Sequence, residues 1–156
     1  MEVPAETNIL EVNIARTVIF DENDRLLVLW RADDDSYNAG GPDLPGGGLE
    51  PRETPSEAAI RETYEETGID LAQTALRQVC EIITEENDGT RIKRLTRTFF
   101  AACVKSPIIA LRPEEHHSHE FVPLARAREI FVDSTTKLQC LEEVVALQTR
   151  GELAAA

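Results

Sequence analysis

On a helix advancing about 100° per residue, Glu62, Glu65 and Glu66 fall on one face, at positions i, i+3 and i+4. Like charges so placed weaken a helix, so this face needs a cation. A hard divalent ion answers the need, because Mg2+ takes oxygen ligands, keeps several waters and joins carboxylates to substrate phosphates. Without an ion the same face is an ordinary solvated surface. Ahead of it, Leu44-Pro45-Gly46-Gly47-Gly48 lets backbone groups come close to a phosphate or a metal. No Lys-Ser/Thr follows these glycines and no Gly-x-Gly-x-x-Gly occurs, so a P-loop and a dinucleotide fingerprint are excluded.

Taken together, Gly47, Glu53, Arg61, Glu62, Glu65, Glu66 and Gly68 stand in the spacing G-x5-E-x7-R-E-x2-E-E-x-G, with apolar Ile69 after them. This closely resembles the Nudix box, the signature of the Nudix hydrolase superfamily. Two positions depart from the usual pattern: Thr63 stands where an aliphatic residue is common, and Asp43 where an aromatic is common before Leu-Pro-Gly-Gly. The resemblance implies an α/β fold, a Nudix-type α/β/α sandwich with a mixed β-sheet. It also implies hydrolysis of a nucleoside diphosphate derivative, with water attacking a phosphorus of the diphosphate bridge. Clustered metal ions suit that reaction by activating water and neutralising the leaving oxygen.

Carried onto this chain, the resemblance gives Glu62, Glu65 and Glu66 as ligands to Mg2+, with Mn2+ an alternative, and Gly46 as a carbonyl ligand. Arg61 would orient the glutamates and pair with Glu53, where a plain helix-capping ion pair is the other reading. The general base would come from the box, as Glu62, or from the segment Glu114 to Glu120, as Glu115 first and Glu120 second. All three histidines, His116, His117 and His119, lie in that segment. They read as solvated loop residues, with a transition-metal site or a His base as the alternative. Gly47, Arg16, Arg91 and Arg97 are the candidate substrate contacts. By period two, Arg91, Lys93 and Arg97 share one strand face, whose plainer reading is a solvated stripe balancing an acidic chain. Trp30 and Tyr37 border the glycine-rich loop. Either ring has the face to stack on a base, and Trp30 reads as core.

The elements that must hold these residues are legible in outline. Ile9 to Phe20 and Leu26 to Trp30 read as strands joined by the polar turn at Asp21–Asp24, an opening hairpin. Residues 31–48 read as a loop. Thr54-Pro55-Ser56-Glu57 offers an N-cap hydroxyl, proline at the first helical position and glutamate at the third; Gly68 supplies the stop, so a helix spans 55–67. Ile60, Thr63, Tyr64 and Thr67 would be its buried side. Leu76 to Thr84 and Ile92 to Val104 form a second hairpin about Asp88-Gly89, a loop follows over 112–119, and Ser134 caps a last helix facing the core with Leu138, Leu141 and Val145.

Composition bounds the rest. At 156 residues, with no linker or repeat, the whole of 1–156 reads as one domain. Twenty-nine acidic against 16 basic residues give a formal charge of −13, which disfavours nucleic-acid polymers and anionic membranes as partners. No apolar run exceeds Phe99 to Val104, too short to cross a bilayer. Glu2, Glu6 and Glu11 leave the first residues without a basic or apolar leader region, so the expectation is cytoplasmic. Cys80, Cys103 and Cys140, odd in number and widely spaced, read as reduced, mostly buried thiols. The expected partner is a small-molecule nucleotide, and a homodimer is allowed. The rival to an enzyme is a non-catalytic module that keeps the fold to sense a nucleotide.

Overall fold

The computed structural model describes residues 8–34 and 39–153. Seven strands form one mixed sheet: β1 (Ile9–Phe20), β2 (Arg25–Arg31), β3 (Pro42–Asp43), β4 (Gly46–Gly48), β5 (Arg77–Asn87), β6 (Ile92–Cys103) and β7 (His116–Pro123). Three helices, α1 (Pro55–Thr67), α2 (Leu124–Ile130) and α3 (Thr135–Thr149), cover it.

The opening hairpin is splayed. β1 and β2 register only at Phe20↔Leu26; β1 then runs parallel to β6 from Ile9↔Ile92 to Phe20↔Cys103, while β2 pairs with β7. Into the gap passes the stretch read as loop. Its β3 pairs with β2 at Leu29↔Asp43, its β4 with β1 at Ile14↔Gly48 to Arg16↔Gly46, and the Pro45 carbonyl accepts from the Thr17 amide at 2.9 Å. The glycines therefore cross from one half of the sheet to the other.

Apolar residues bury both faces, giving three layers. On one face Val18, Phe20, Leu26, Val28 and Phe99 pack against Phe131, Cys140, Leu141 and Val144 of the α2–α3 side. On the other, Ile19, Leu27 and Leu29 meet Ile69 and Leu71, and Ala15 and Phe100 meet Ala58 and Ala59 of α1. Trp30 packs against the first cluster, as its core reading expects; Tyr37 lies outside the described residues.

α1 forms where its capping signals place it. The Glu57 amide donates to Thr54 Oγ1 at 3.2 Å, the Thr54 amide to Glu57 Oε1 at 3.4 Å, and Gly68, at φ 78°, donates to the Tyr64 carbonyl at 2.8 Å. Its buried side differs from expectation. Ala58, Ala59, Thr63, Glu66 and Thr67 are buried, whereas Tyr64 is 59% exposed, because small alanines bring the helix close to the sheet and leave no room for the ring. Thr63, where an aliphatic is usual, meets the buried Thr17 hydroxyl at 3.4 Å.

Further differences lie in the C-terminal third. β7 begins at His116, inside the expected loop, and α2 follows it, a helix whose Pro123 N-cap offers no side-chain signal. The core face of α3 is Cys140, Leu141, Val144 and Leu147, leaving Leu138 and Val145 half-buried. Cys140 is buried, and Cys80 and Cys103 are half-buried. Among the described residues no helix is long and apolar enough to cross a membrane.

Candidate active site

A cavity of about 540 Å³ opens beside the glycine crossing. Strand alternation builds its floor: Val12 and Ile14 of β1 pair in parallel register with Leu95 and Arg97 of β6, and Lys93 and Arg16 extend the same face at either end. Glu62 and Glu66 of α1 and Glu115 form an acidic side; Arg31 and the first turn of α3, with Lys137, complete the wall.

α1 and the glycines meet closely. The Gly46 amide donates to Glu66 Oε1 at 3.0 Å, and a Cβ placed on Gly47 would come within 2.6 Å of the Glu62 carboxylate, so any side chain there would displace that carboxylate. Arg61 fastens the segment between. Its guanidinium donates to both oxygens of Glu53 at 2.8 Å, to the Gly48 carbonyl at 3.0 Å, and to Glu62 and Glu65 at 2.9 and 3.3 Å. The Arg61 bond holds the Glu53 carboxyl down at about 2, and the same carboxylates raise the Arg61 guanidinium. This fork serves equally as a helix-end clasp and as a brace for the two glutamates.

Beneath lies a charged centre that the sequence does not announce. Asp43 is 1% exposed and ion-paired with Arg16 at 2.9 Å, Arg31 at 2.6 Å and Lys137 at 3.3 Å. Burial alone would raise its carboxyl, but Arg16, Lys137 and Arg31 outweigh it and hold the group well below the usual range. Burial lowers Lys137 in turn, against the attraction of Asp43. His116, read as a solvated loop residue, is 1% exposed. Its Nδ1 stands 3.4 Å from Glu66 Oε2 and its Nε2 3.7 Å from Asp43 Oδ2, and neither nitrogen makes a hydrogen bond. The early start of β7 draws it inward, while His117 and His119 stay exposed.

Not every expected residue reaches the cavity. Arg91 sits at the β5–β6 turn, 3.6 Å from Asp88 and 48% exposed, and Glu120 is exposed on β7 opposite Val28. Glu65 faces Arg61 rather than the cavity. Arg16, Gly46, Gly47, Arg97, Glu62, Glu66 and Glu115 line it. Lys137, Arg31 and Asp43 carried no motif; the one available signal was Asp43 replacing an expected aromatic.

Glu66 is held uncharged by its surroundings. Burial, reinforced by the charges of Asp43 and Glu62 and only partly offset by the Gly46 amide and Arg16, pushes its carboxyl from the ordinary 4.5 up to about 9. The native state thus holds a proton that the unfolded chain releases. This contribution to stability is present in full below about 4.5 and lost as pH rises to about 9. Urea midpoints of the protein in chelator should therefore fall across that window, and fall less in Glu66→Gln; a wild-type slope no steeper than the variant's would refute the assignment.

The NUDIX domain profile matches residues 12–142. An 8-oxo-dGTP diphosphatase of Proteus vulgaris is 39% identical over 66 residues, 42% of this chain and 58% of that protein, so the chain spans little more than half of that curated relative. The MutT protein of Methanosarcina mazei Go1 superposes with TM-score 0.63 at 27% identity over 78% of this chain and 82% of its own. A C. elegans Ap4A hydrolase shares the fold at TM-score 0.65 and 23% identity, over 88% and 98%. With the profile running from the middle of β1 into α3, and the acidic helix, glycine crossing and mixed sheet all in place, the chain belongs to the NUDIX domain family.

Proposed function

We propose that the chain, acting as one domain, is a metal-dependent hydrolase of the diphosphate linkage in a nucleoside diphosphate derivative. One observation carries this reading: Glu62 and Glu66 open onto the same cavity as Lys93, Arg97 and Lys137, so cations and phosphates have facing walls. A net charge of −13 leaves little attraction for anions elsewhere, which favours a small nucleotide that brings its own counter-ion.

The donors fit Mg2+ or Mn2+. Glu62, Glu66 and the Gly46 carbonyl would offer oxygen ligands, Glu65 would join them by turning from Arg61, and Glu62 lies against Gly47 where a side chain would crowd it. When bound, the ions activate water and stabilise charge on the phosphate oxygens. Arg61 is a positioning residue that keeps Glu62 and Glu65 from splaying. Lys93, Arg97 and the Gly47 backbone would meet the phosphates, with Arg16 steadying the floor through its bonds to Asp43 and the Leu44 carbonyl. Glu62 and Glu115 both line the cavity and Glu120 does not, so one of those two would take the proton from the attacking water.

A panel of nucleoside triphosphates, ADP-ribose, sugar nucleotides, dinucleoside polyphosphates and a 5′-triphosphorylated RNA oligonucleotide, with Mg2+ or Mn2+, tests the proposal. The expected result is release of a nucleoside monophosphate from a small nucleotide, abolished by chelator. Tight nucleotide binding in calorimetry with no turnover on any member would instead favour the sensing module.

A further inference from the structure

We propose that His116 is a nitrogen ligand to a divalent ion shared with Glu66 and Glu115, making the cavity select a transition ion such as Mn2+ or Zn2+ over Mg2+. The inference rests on the hydrolase reading for the cavity and for Glu66, and it gives Glu115 to the ion, which would leave Glu62 as the base; its test reads metal loading alone.

A buried imidazole normally satisfies at least one nitrogen, yet both of His116's lack a hydrogen bond in a wall of the cavity. Their surroundings suit a metal better than a proton. Nδ1 lies 3.4 Å from Glu66 Oε2, long for a hydrogen bond. Two donors each about 2.1 Å from one ion stand roughly 3.0–3.4 Å apart, depending on whether the geometry is octahedral or tetrahedral. Glu66 is ready for this role: Oε1 accepts the Gly46 amide, so Oε2 is the oxygen turned toward the ring. Glu115, the residue before His116, brings the third donor, and all three donor atoms lie within 4.8 Å of one another. A small swing of the half-buried Glu115 side chain closes the set.

The far side of the ring completes the pattern. Nε2 faces Asp43 Oδ2 at 3.7 Å, and Asp43 is fixed by Arg16, Arg31 and Lys137. At 3.7 Å this is not a hydrogen bond, but with Nδ1 on an ion Nε2 would carry the proton and face a carboxylate able to accept it, the arrangement found around metal-bound imidazoles. An all-oxygen set suits Mg2+, whereas an imidazole shifts preference toward Mn2+, Co2+ and Zn2+.

Protein loaded with one equivalent of Mn2+, without nucleotide, should show the electron spin-echo modulation of a directly coordinated imidazole nitrogen. The modulation should persist in His117→Gln and vanish in His116→Gln. By calorimetry, His116→Gln should weaken Mn2+ at least about tenfold and Mg2+ less than about threefold. The wild-type spectrum decides the matter even where His116→Gln fails to fold. Absence of nitrogen coupling in wild type, its survival in His116→Gln, or an equal loss of both ions would overturn the proposal. Coupling in a protein that cleaves no nucleotide would defeat the hydrolase reading alone, and cleavage without coupling would defeat this one alone.

Discussion

Glu66→Gln is expected to lower kcat by about a thousandfold while leaving the protein folded, because a bound ion contributes several kcal/mol of charge stabilisation in the transition state and each 1.36 kcal/mol is tenfold. The two effects separate for a structural reason. Gln keeps the oxygen that accepts the Gly46 amide, so the contact between α1 and the glycine crossing survives. It also removes a carboxyl that burial and the Asp43 and Glu62 charges hold protonated up to about 9, so the metal-free variant should equal or exceed wild type in urea midpoint at neutral pH. What it lacks is a carboxyl that can give up its proton to become an anionic ligand for the metal. Single-turnover kinetics at saturating Mg2+ or Mn2+, beside urea titrations in chelator, measure both quantities. A variant within tenfold of wild-type kcat would remove Glu66 from the metal set, and one that unfolds would show that Glu66 is chiefly structural.

The parts of this site that sequence makes legible are those fixed by local rules. Thr54, Pro55, Glu57 and Gly68 each act within one turn of α1, so the helix and the common face of Glu62 and Glu66 follow from neighbours in the chain. The β5–β6 hairpin is legible in the same way, from Asp88-Gly89. What escapes depends on distant partners. β1 pairs along its whole length with β6, some eighty residues away, and this parallel pairing forces the first hairpin apart to admit residues 42–48. Tyr64 belongs to the apolar pattern of α1 yet faces solvent, since Ala58 and Ala59 set how closely the helix approaches Ala15 and Phe100. His116 sits in a polar heptapeptide whose composition signals a loop. Its burial comes from β7 pairing back along β2 as far as Arg31, which no residue near His116 announces.

Asp43 gathers these long-range effects, and its removal should produce the largest loss of stability. Arg16 comes from β1, Arg31 from β2 and Lys137 from α3; their side chains are 12%, 17% and 10% exposed, and all three converge on a carboxylate that is 2% exposed. Taking away one member of a buried ion cluster leaves the others uncompensated, at a cost of about 3–5 kcal/mol, and here three cations would be left facing one another. A domain of this size has roughly 5–15 kcal/mol in all, so Asp43→Ala should be close to unfolded at 37 °C. Asp43→Asn, which keeps an acceptor oxygen but no charge, should fall between. Acid should do little to the wild-type cluster: the Asp43 carboxyl is held well below its ordinary 3.8, so its contribution is present above that value and is lost only at pH lower still. Urea midpoints for wild type, Asp43→Asn and Asp43→Ala at pH 7 and pH 4 give the comparison. The expected order is wild type, Asn, Ala at both pH values, and any fall of wild type between pH 7 and pH 4 that remains after the Glu66 slope is subtracted should be shared by both Asp43 variants, since it comes from carboxyls such as Glu53 rather than from Asp43. An Asp43→Ala midpoint close to wild type would mean that the three cations find water or other carboxylates, and that the centre under the cavity is not held by this residue.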